Sequence, residues 1–382
     1  MRSGGSSADI DRLLTILLET KGSDLHICSG VKPMIRVDGD MRALTNQAQL
    51  TPEAVQKMLW PIVPPLNREE FTRRRDTDFA YEIPGKARFR ANMFVDRRGV
   101  GGVFRIIPSD IMTGEDLGIP SEILHRFSTL QKGLVLVTGP TGSGKSTTLN
   151  AFVDYINRNR SAHIITIEDP IEFVHENRRC LINQRQVGQH TDSFKDALRA
   201  ALREDPDIIL VGEIRDLETI EIALETAETG HLVFGTLHTS SAASTVDRII
   251  DQFPADRQSQ IRVMLSSSLM GVIAQVLCKK TNGGRVAAYE ILIGIPAVSN
   301  LIREQKVFQL ASVMQTGRKL GMRMMADSLV ALVKGGAITP EEAITKAQDR
   351  SQLMAAFAAE NIEPMSPKSG TKSPRSKKKK GG

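Results

Sequence analysis

Hydrophobic spacing divides the chain into two textures. From Ile10 the apolar positions Ile10, Leu13, Leu14, Leu17 and Leu18 recur with helical period, after a polar lead over residues 1–8 expected to be disordered. Short alternating runs follow the Gly22–His26 stretch, at 34–38, 77–83, 87–95 and 101–107. They predict sheet strands with one solvated face, interrupted by a helix near Pro52 to Trp60. Residues 9–107 therefore read as a small α+β domain, joined by a connector over 108–131 marked by Gly118, Pro120 and Gly133. Beyond Gly133 continuous apolar runs replace the alternation. Strands are expected at 134–138, 163–167, 208–211, 232–237 and 286–293. Between them lie amphipathic helices such as 193–203 and 217–229, the second with Leu217, Ile220 and Leu224 on one face. Strands alternating with helices predict a doubly wound parallel sheet over 132–295. From Pro296 to about residue 360 the pattern is helical. Residues 361–382 form a Ser/Pro/Lys-rich tail expected to be disordered.

The first expected strand, Leu134 to Val137, runs into Gly139, Pro140, Thr141, Gly142, Ser143, Gly144, Lys145, Ser146 and Thr147. A helical pattern through Leu149, Phe152, Val153 and Ile156 follows. Strand, glycine turn and helix in that order are the setting of a phosphate-binding loop. Its glycines let backbone N–H groups curl around a triphosphate, and the helix N-terminus adds partial positive charge. Lys145 is expected at the β- and γ-phosphates of ATP, and the Ser146 hydroxyl on Mg²⁺.

Three further polar motifs each follow an expected strand, where open α/β sheets bind ligands. Glu168, Asp169 and Glu172 follow the second strand; Gly212, Glu213, Arg215 and Asp216 follow the third; His238 follows the fourth. A carboxylate or histidine after a strand is usually a helix cap or a solvated loop residue. Four motifs on one sheet edge instead describe a site for phosphoryl transfer. Glu213 is the candidate that orients the attacking water, against a structural ion pair as the plain alternative. Gly212 stands where an Asp is usual, which leaves metal ligation to Ser146 and the Glu168, Asp169 and Glu172 loop. His238 is a candidate γ-phosphate contact. His231 precedes the same strand and belongs at its opposite end unless a bend or a partner subunit brings it round. Arg88, Arg90 and Arg105 read as the polar face of an antiparallel sheet. The sharper reading is a guanidinium that reaches a γ-phosphate from another domain or subunit.

Composition narrows the classes. Hydrophobic content of 41% and charged content of 25% over 382 residues fit an ordinary globular chain of two to three domains. No apolar run approaches the roughly 20 residues needed to cross a bilayer, and no secretory signal is recognisable, so a cytoplasmic location is expected. Cys28, Cys180 and Cys278 are scattered without metal-ligand spacing. The net charge is +6, but seven Lys or Arg residues and no acids lie from Pro364 onward; +6 less seven leaves −1 for the rest. A near-neutral body with 4% aromatic residues argues against a nucleic-acid partner. The tail reads as a solvated appendage, with peripheral contact to an anionic membrane surface the less favoured reading.

Four motifs carry a resemblance that covers residues 10–350: Gly139 to Thr147, Ile165 to Phe173, Leu210 to Asp216 and Thr229 to Ser240. They resemble the secretion-type hexameric ATPases, and among these the branch that retracts type IV pili. The resemblance implies a PAS-like N-terminal domain, a RecA-like ATPase domain with a helical C-terminal segment, and a homohexamer. It places ATP between the two domains with the N-terminal arginines completing the site. It also implies work on an inner-membrane pilus platform protein from the cytoplasmic face, alongside an accessory retraction ATPase. Asn300 to Glu304 is similar to a C-terminal signature of that branch, with Ser299 where the family commonly has Arg. The tetracysteine zinc motif of the extension and secretion motors is missing, which favours the retraction branch. The alternatives are an accessory pilus or type II secretion motor, a nucleic-acid-translocating RecA-like ATPase, and a nucleotide-binding regulator without turnover.

Overall fold

Ile10, Leu13, Leu14 and Leu17 are all buried on one face of the first helix, α1 (Ser7–Glu19), as their period requires. The computed structural model describes residues 7–37, 39–107 and 111–363. The expected N-terminal lead and basic tail thus lie almost wholly outside the described residues, α1 reaching back to Ser7. The chain is α/β with one six-stranded and one seven-stranded sheet. It divides into two compact units: Met1–Gly114, Ser128–Gly133 and Ser146–Thr236 form the first, and Glu115–Phe127, Leu134–Lys145 and Leu237–Gly382 the second.

In the first unit, α1 is followed by β1 (Asp24–Cys28), β2 (Met34–Val37), β3 (Asp40–Ala43), α2 (Pro52–Leu59) and α3 (Pro65–Arg74). Then come β4 (Asp76–Ile83), β5 (Ala87–Asp96) and β6 (Gly99–Ile107). These six strands form an antiparallel sheet in the order β3-β2-β1-β6-β5-β4. Its inner face, with Leu25, Ile27, Phe79, Phe89, Ala91 and Phe104, packs in one core with α1 and α2. Thr51 caps α2 by accepting the Ala54 N–H, and Pro52 occupies the first turn, where its missing N–H costs nothing. β1, β3 and α3 are additions to the sequence expectation. All four residues of β3 are exposed, so no apolar alternation marks it.

The next elements in chain order are α4 (Ser121–Ser128), β7 (Gly133–Thr138), α5 (Lys145–Asn159), β8 (His163–Glu168), β9 (Leu181–Gln186), α6 (Phe194–Ala201), β10 (Ile208–Val211), α7 (Leu217–Glu228) and β11 (Leu232–Leu237). Within the first unit β11, β10, β8 and β9 lie side by side in parallel register. Every residue of β10 and β11 is buried, which is why they read as unbroken apolar runs.

The second unit holds α8 (Ala242–Asp251), α9 (Gln258–Ser268), β12 (Leu269–Lys279), β13 (Arg285–Ile293), α10 (Pro296–Arg303), α11 (Leu310–Thr316), α12 (Met325–Lys334), α13 (Pro340–Lys346) and α14 (Arg350–Ala359). β12 pairs parallel with β7 and antiparallel with β13. The expectation of a wholly parallel sheet is corrected here. The reason is a tight reversal after Lys279 in which Gly283 and Gly284 both take positive φ, too short for a crossover helix. Residues 121–128, inside the expected connector, form α4. There Phe127 is fully buried against β12, and the Tyr289 hydroxyl donates to the Leu117 carbonyl at 2.9 Å.

At Gly271 on β12 an added Cβ would fall 2.2 Å from Phe127 Cζ and 2.5 Å from Cε1. Gly271→Ala is expected to lower stability by about 1–3 kcal/mol through overpacking, measured as a shift of the denaturant midpoint; an unchanged midpoint contradicts this packing.

Candidate functional site

The loop after β7 owes its shape to three glycines at positive φ: Gly139 (146°), Gly142 (76°) and Gly144 (89°). At Gly139 there is no room for any side chain, since a Cβ would meet the Gln275 carbonyl at 2.4 Å and Ser143 Oγ at 2.6 Å. Gln275, a buried residue of β12, donates from Nε2 to the Ser143 carbonyl at 2.7 Å. The β12 strand thus holds the loop from below. The Lys145 ammonium donates to the carbonyls of Gly139 (3.0 Å) and Pro140 (3.3 Å), so it is folded back over the loop. Ser143 Oγ is buried with no hydrogen-bond partner among the described residues. The Gly139 N–H donates to the Leu237 carbonyl, at the end of β11, at a long 3.4 Å. His238, the next residue, is exposed beside the start of the loop. The second unit therefore brings together Gly139 to Lys145, Gln275 and His238.

Ser146 and Thr147 open α5 in the first unit, together with the acidic motifs. β8 and β10 are parallel neighbours with Ile167 opposite Val211, so Glu168 and Glu213 leave adjacent strand ends. Gly212 makes the crossing possible. Its N–H donates to the Ile167 carbonyl at 2.7 Å, and a Cβ there would stand 3.1 Å from that oxygen and 3.3 Å from Glu168 Cα. An Asp at this place would press on the neighbouring strand, which accounts for the glycine. Thr236 of β11 fixes the segment from the other side: its hydroxyl donates to the Gly212 carbonyl at 2.6 Å, and its carbonyl accepts the Ile214 N–H at 3.0 Å. Glu213, with its side chain 21% exposed, accepts from Arg215 at 2.6 Å. That bond, with the charge of Glu213, raises the pKa of the Arg215 guanidinium. Asp216 ends the motif as the N-cap of α7, accepting from Thr219.

Glu168 is buried, and burial pushes its carboxyl pKa up. Hydrogen bonds from the Thr166 hydroxyl (2.6 Å), Gln184 Nε2 (3.2 Å) and the Glu172 N–H work the other way. Asp169 and the Glu172 side chain are exposed. Among the described residues no three His, Cys, Asp or Glu side chains make a metal cage. Mg²⁺ carried with a nucleotide needs none, because it keeps waters and takes one or two protein oxygens besides the phosphates. Ser146, Glu168 and Asp169 offer the hard oxygen donors that such an ion requires, so the donor chemistry fits.

The remaining candidates are set apart from these clusters or pair locally. His231 stands at the start of β11, at the other end of the strand from His238, with Nδ1 3.3 Å from the Thr226 carbonyl. Arg88, Arg90 and Arg105 share the outer face of the six-stranded sheet, Arg90 directly opposite Arg105. Each pairs with an acid of its own sheet: Glu82 at 3.7 Å, Asp78 at 3.7 Å and Asp24 at 2.7 Å.

Sequence reasoning missed Gln275 and a buried polar chain behind α5. In that chain His175 Nε2 lies 2.6 Å from Asn150 Oδ1, and Asn150 Nδ2 donates to the Ser146 carbonyl at 2.8 Å. The His175 N–H donates to Gln184, which in turn donates to Glu168. The signal available was a polar residue inside an apolar stretch, costly unless partnered.

The family model of the type II/IV secretion system protein matches residues 7–345. The chain belongs to that family. Within it, the chain is 56% identical to the type IV pilus retraction ATPase PilT of Pseudomonas aeruginosa, over 89% of this chain and 98% of that protein. It is 54% identical to the twitching motility protein of Neisseria gonorrhoeae, over 89% of this chain and 91% of that one. A crystal structure of the pilus retraction motor PilT with bound ADP superposes with a TM-score of 0.85 at 46% identity, covering 90% of this chain and 98% of that chain. The fold is thus that of a secretion ATPase, with a small α+β N-terminal part and a RecA-like P-loop part.

Two outcomes follow from the site. Gln275→Ala leaves the Ser143 carbonyl without its buried donor; we expect a stability loss of about 1–3 kcal/mol and weaker ADP binding by calorimetry, and an unchanged ADP affinity contradicts the role given to Gln275. His175 is held neutral by burial, its pKa lowered from 6.5 to about 4. Below pH 6.5 the unfolded imidazole binds a proton that the folded one refuses until pH 4. Stability should therefore fall as pH drops from 6.5 towards 4, by up to about 3 kcal/mol. In His175→Gln that slope should flatten in denaturant titrations.

Proposed function

We propose that the protein is an ATP-hydrolysing motor that powers retraction of type IV pili, working as a ring of six copies. The observation that carries this reading is the glycine loop with Lys145, in a chain that matches PilT along nearly its whole length. The N–H groups of Gly142 to Ser146 and the positive end of α5 bind phosphate oxygens, and Lys145 exchanges its loop carbonyls for the β- and γ-phosphates. Glu213 orients the attacking water and takes its proton, while Arg215 fixes the carboxylate's direction. Ser146 with Glu168 or Asp169 would hold Mg²⁺, which would supply charge neutralisation at the phosphates. His238, next to the residue that receives the Gly139 N–H, reads whether the γ-phosphate is present.

The reading extends to organisation. Residues 9–107 act as the N-terminal domain, 132–295 as the ATPase domain and 296–360 as a helical segment, with 108–131 as hinge. Arg88, Arg90 and Arg105 leave their sheet acids to meet the γ-phosphate, and His231 takes part where the partner subunit approaches. No helix among the described residues is long and apolar enough to cross a membrane. In this reading force reaches an inner-membrane platform protein through peripheral contact at its cytoplasmic face, with an accessory retraction ATPase as a further partner.

Deletion of the gene should give hyperpiliated, non-motile cells, rescued by the wild type and not by Lys145→Ala. Loss of pili altogether would overturn retraction in favour of assembly. Purified protein should hydrolyse ATP at a rate unaffected by added DNA; stimulation by DNA would point to a translocase, and binding without turnover to a regulator.

A further inference from the structure

Glu290 is a carboxylate inside the sheet, 7% exposed, on a strand otherwise buried and apolar towards its end. One of its oxygens accepts the Ala242 N–H at 2.8 Å, and the Met325 backbone helps stabilise the carboxylate's charge against the burial that raises its pKa. Ala242 is the first residue of α8 and Met325 the first of α12. One carboxylate therefore bonds the start of α8 and faces the start of α12, each with the positive end of a helix dipole.

The two helices have different neighbours along the chain. α8 opens four residues after His238, through a capping box in which Ser241 and Ser244 bond each other's backbone. α12 belongs to the C-terminal helices and packs with α14 around Leu329, Leu353 and Phe357. It is tied to the same strand a second time by the Ser328 hydroxyl, which accepts the Tyr289 N–H at 2.9 Å. The segment between His238 and α8 has another link to this region: Gln348, between α13 and α14, donates to the Ser240 carbonyl. Residues 238–242 are thus held from the C-terminal side at both Ser240 and Ala242.

We propose that Glu290 is a positioning residue for the ATPase reaction, which sets the His238 segment through the start of α8 and passes its displacement to α12. This rests on the reading of the chain as an ATPase. A shift of α8 by part of an ångström must either break a charge-assisted bond in a dry site or draw the carboxylate, and with it α12, along. Glutamine keeps an acceptor oxygen for the Ala242 N–H but removes the negative charge that both helix starts face. An apolar core contact would tolerate the slip; a charged bond in a dry site does not.

The experiment uses the full chain with ADP and with a non-hydrolysable ATP analogue. In the wild type, hydrogen exchange at the first turns of α8 and α12 should change together when the analogue replaces ADP. In Glu290→Gln the α8 response should persist and the α12 response vanish. Its nucleotide affinity should stay within about twofold, while kcat falls about tenfold. A wild type in which α12 does not respond, or a variant in which it still does with kcat unchanged, overturns the proposal. The wild-type arm stands even if the variant does not fold. A wild type that binds neither nucleotide fails at the ATPase reading itself, a different result from intact binding without coupling.

Discussion

The glycine loop after β7 spends little of its backbone bonding on itself, and that single constraint organises the structure around it. Within it the Ser143 N–H donates to the Pro140 carbonyl at 3.1 Å, and the rest of its shape is imposed from outside. Three positive-φ glycines let the chain take that shape. Gln275 grips the Ser143 carbonyl, and β11 receives the Gly139 N–H through the Leu237 carbonyl. Rigid strands on both sides do for this loop what hydrogen bonds within a helix do for a helix.

The same logic explains the buried polar side chains of the α/β part. Gln275, Glu290, Glu168 and His175 are each nearly inaccessible, and burial of such groups is unfavourable without partners. Each holds a backbone group or a second polar side chain at a strand end or a helix start. Glu168 shows the balance most directly, since burial and three donors pull its carboxyl in opposite directions.

Much of this was legible in the chain because its signals were periodic or strictly spaced. β8, β10 and β11 stood out as apolar runs bounded by turns, and the glycine loop by its fixed spacing. β12 was not legible, although it is the longest strand. Leu269 to Lys279 is buried on both faces and directly follows the helical α9, so neither a twofold period nor a turn announces it. β3 escaped for the opposite reason, being exposed on every residue. The antiparallel course of β13 depends on the positive-φ pair Gly283 and Gly284, which follow the missed β12. Gln275 and Glu290 were invisible as functional residues because their meaning lies in which distant carbonyl or N–H they meet.

Gly212 carries a consequence for how this architecture can diverge. With a bare α-carbon lying against its neighbour, the residue after β10 carries no acid, and Glu213 is the first the segment offers. A descendant that gained a second acid there would have to shift β8 by a few tenths of an ångström, next to the seat of Glu168. Inheritance is thereby channelled: new negative charge can be added after β8, where Asp169 and Glu172 already face solvent, far more readily than after β10.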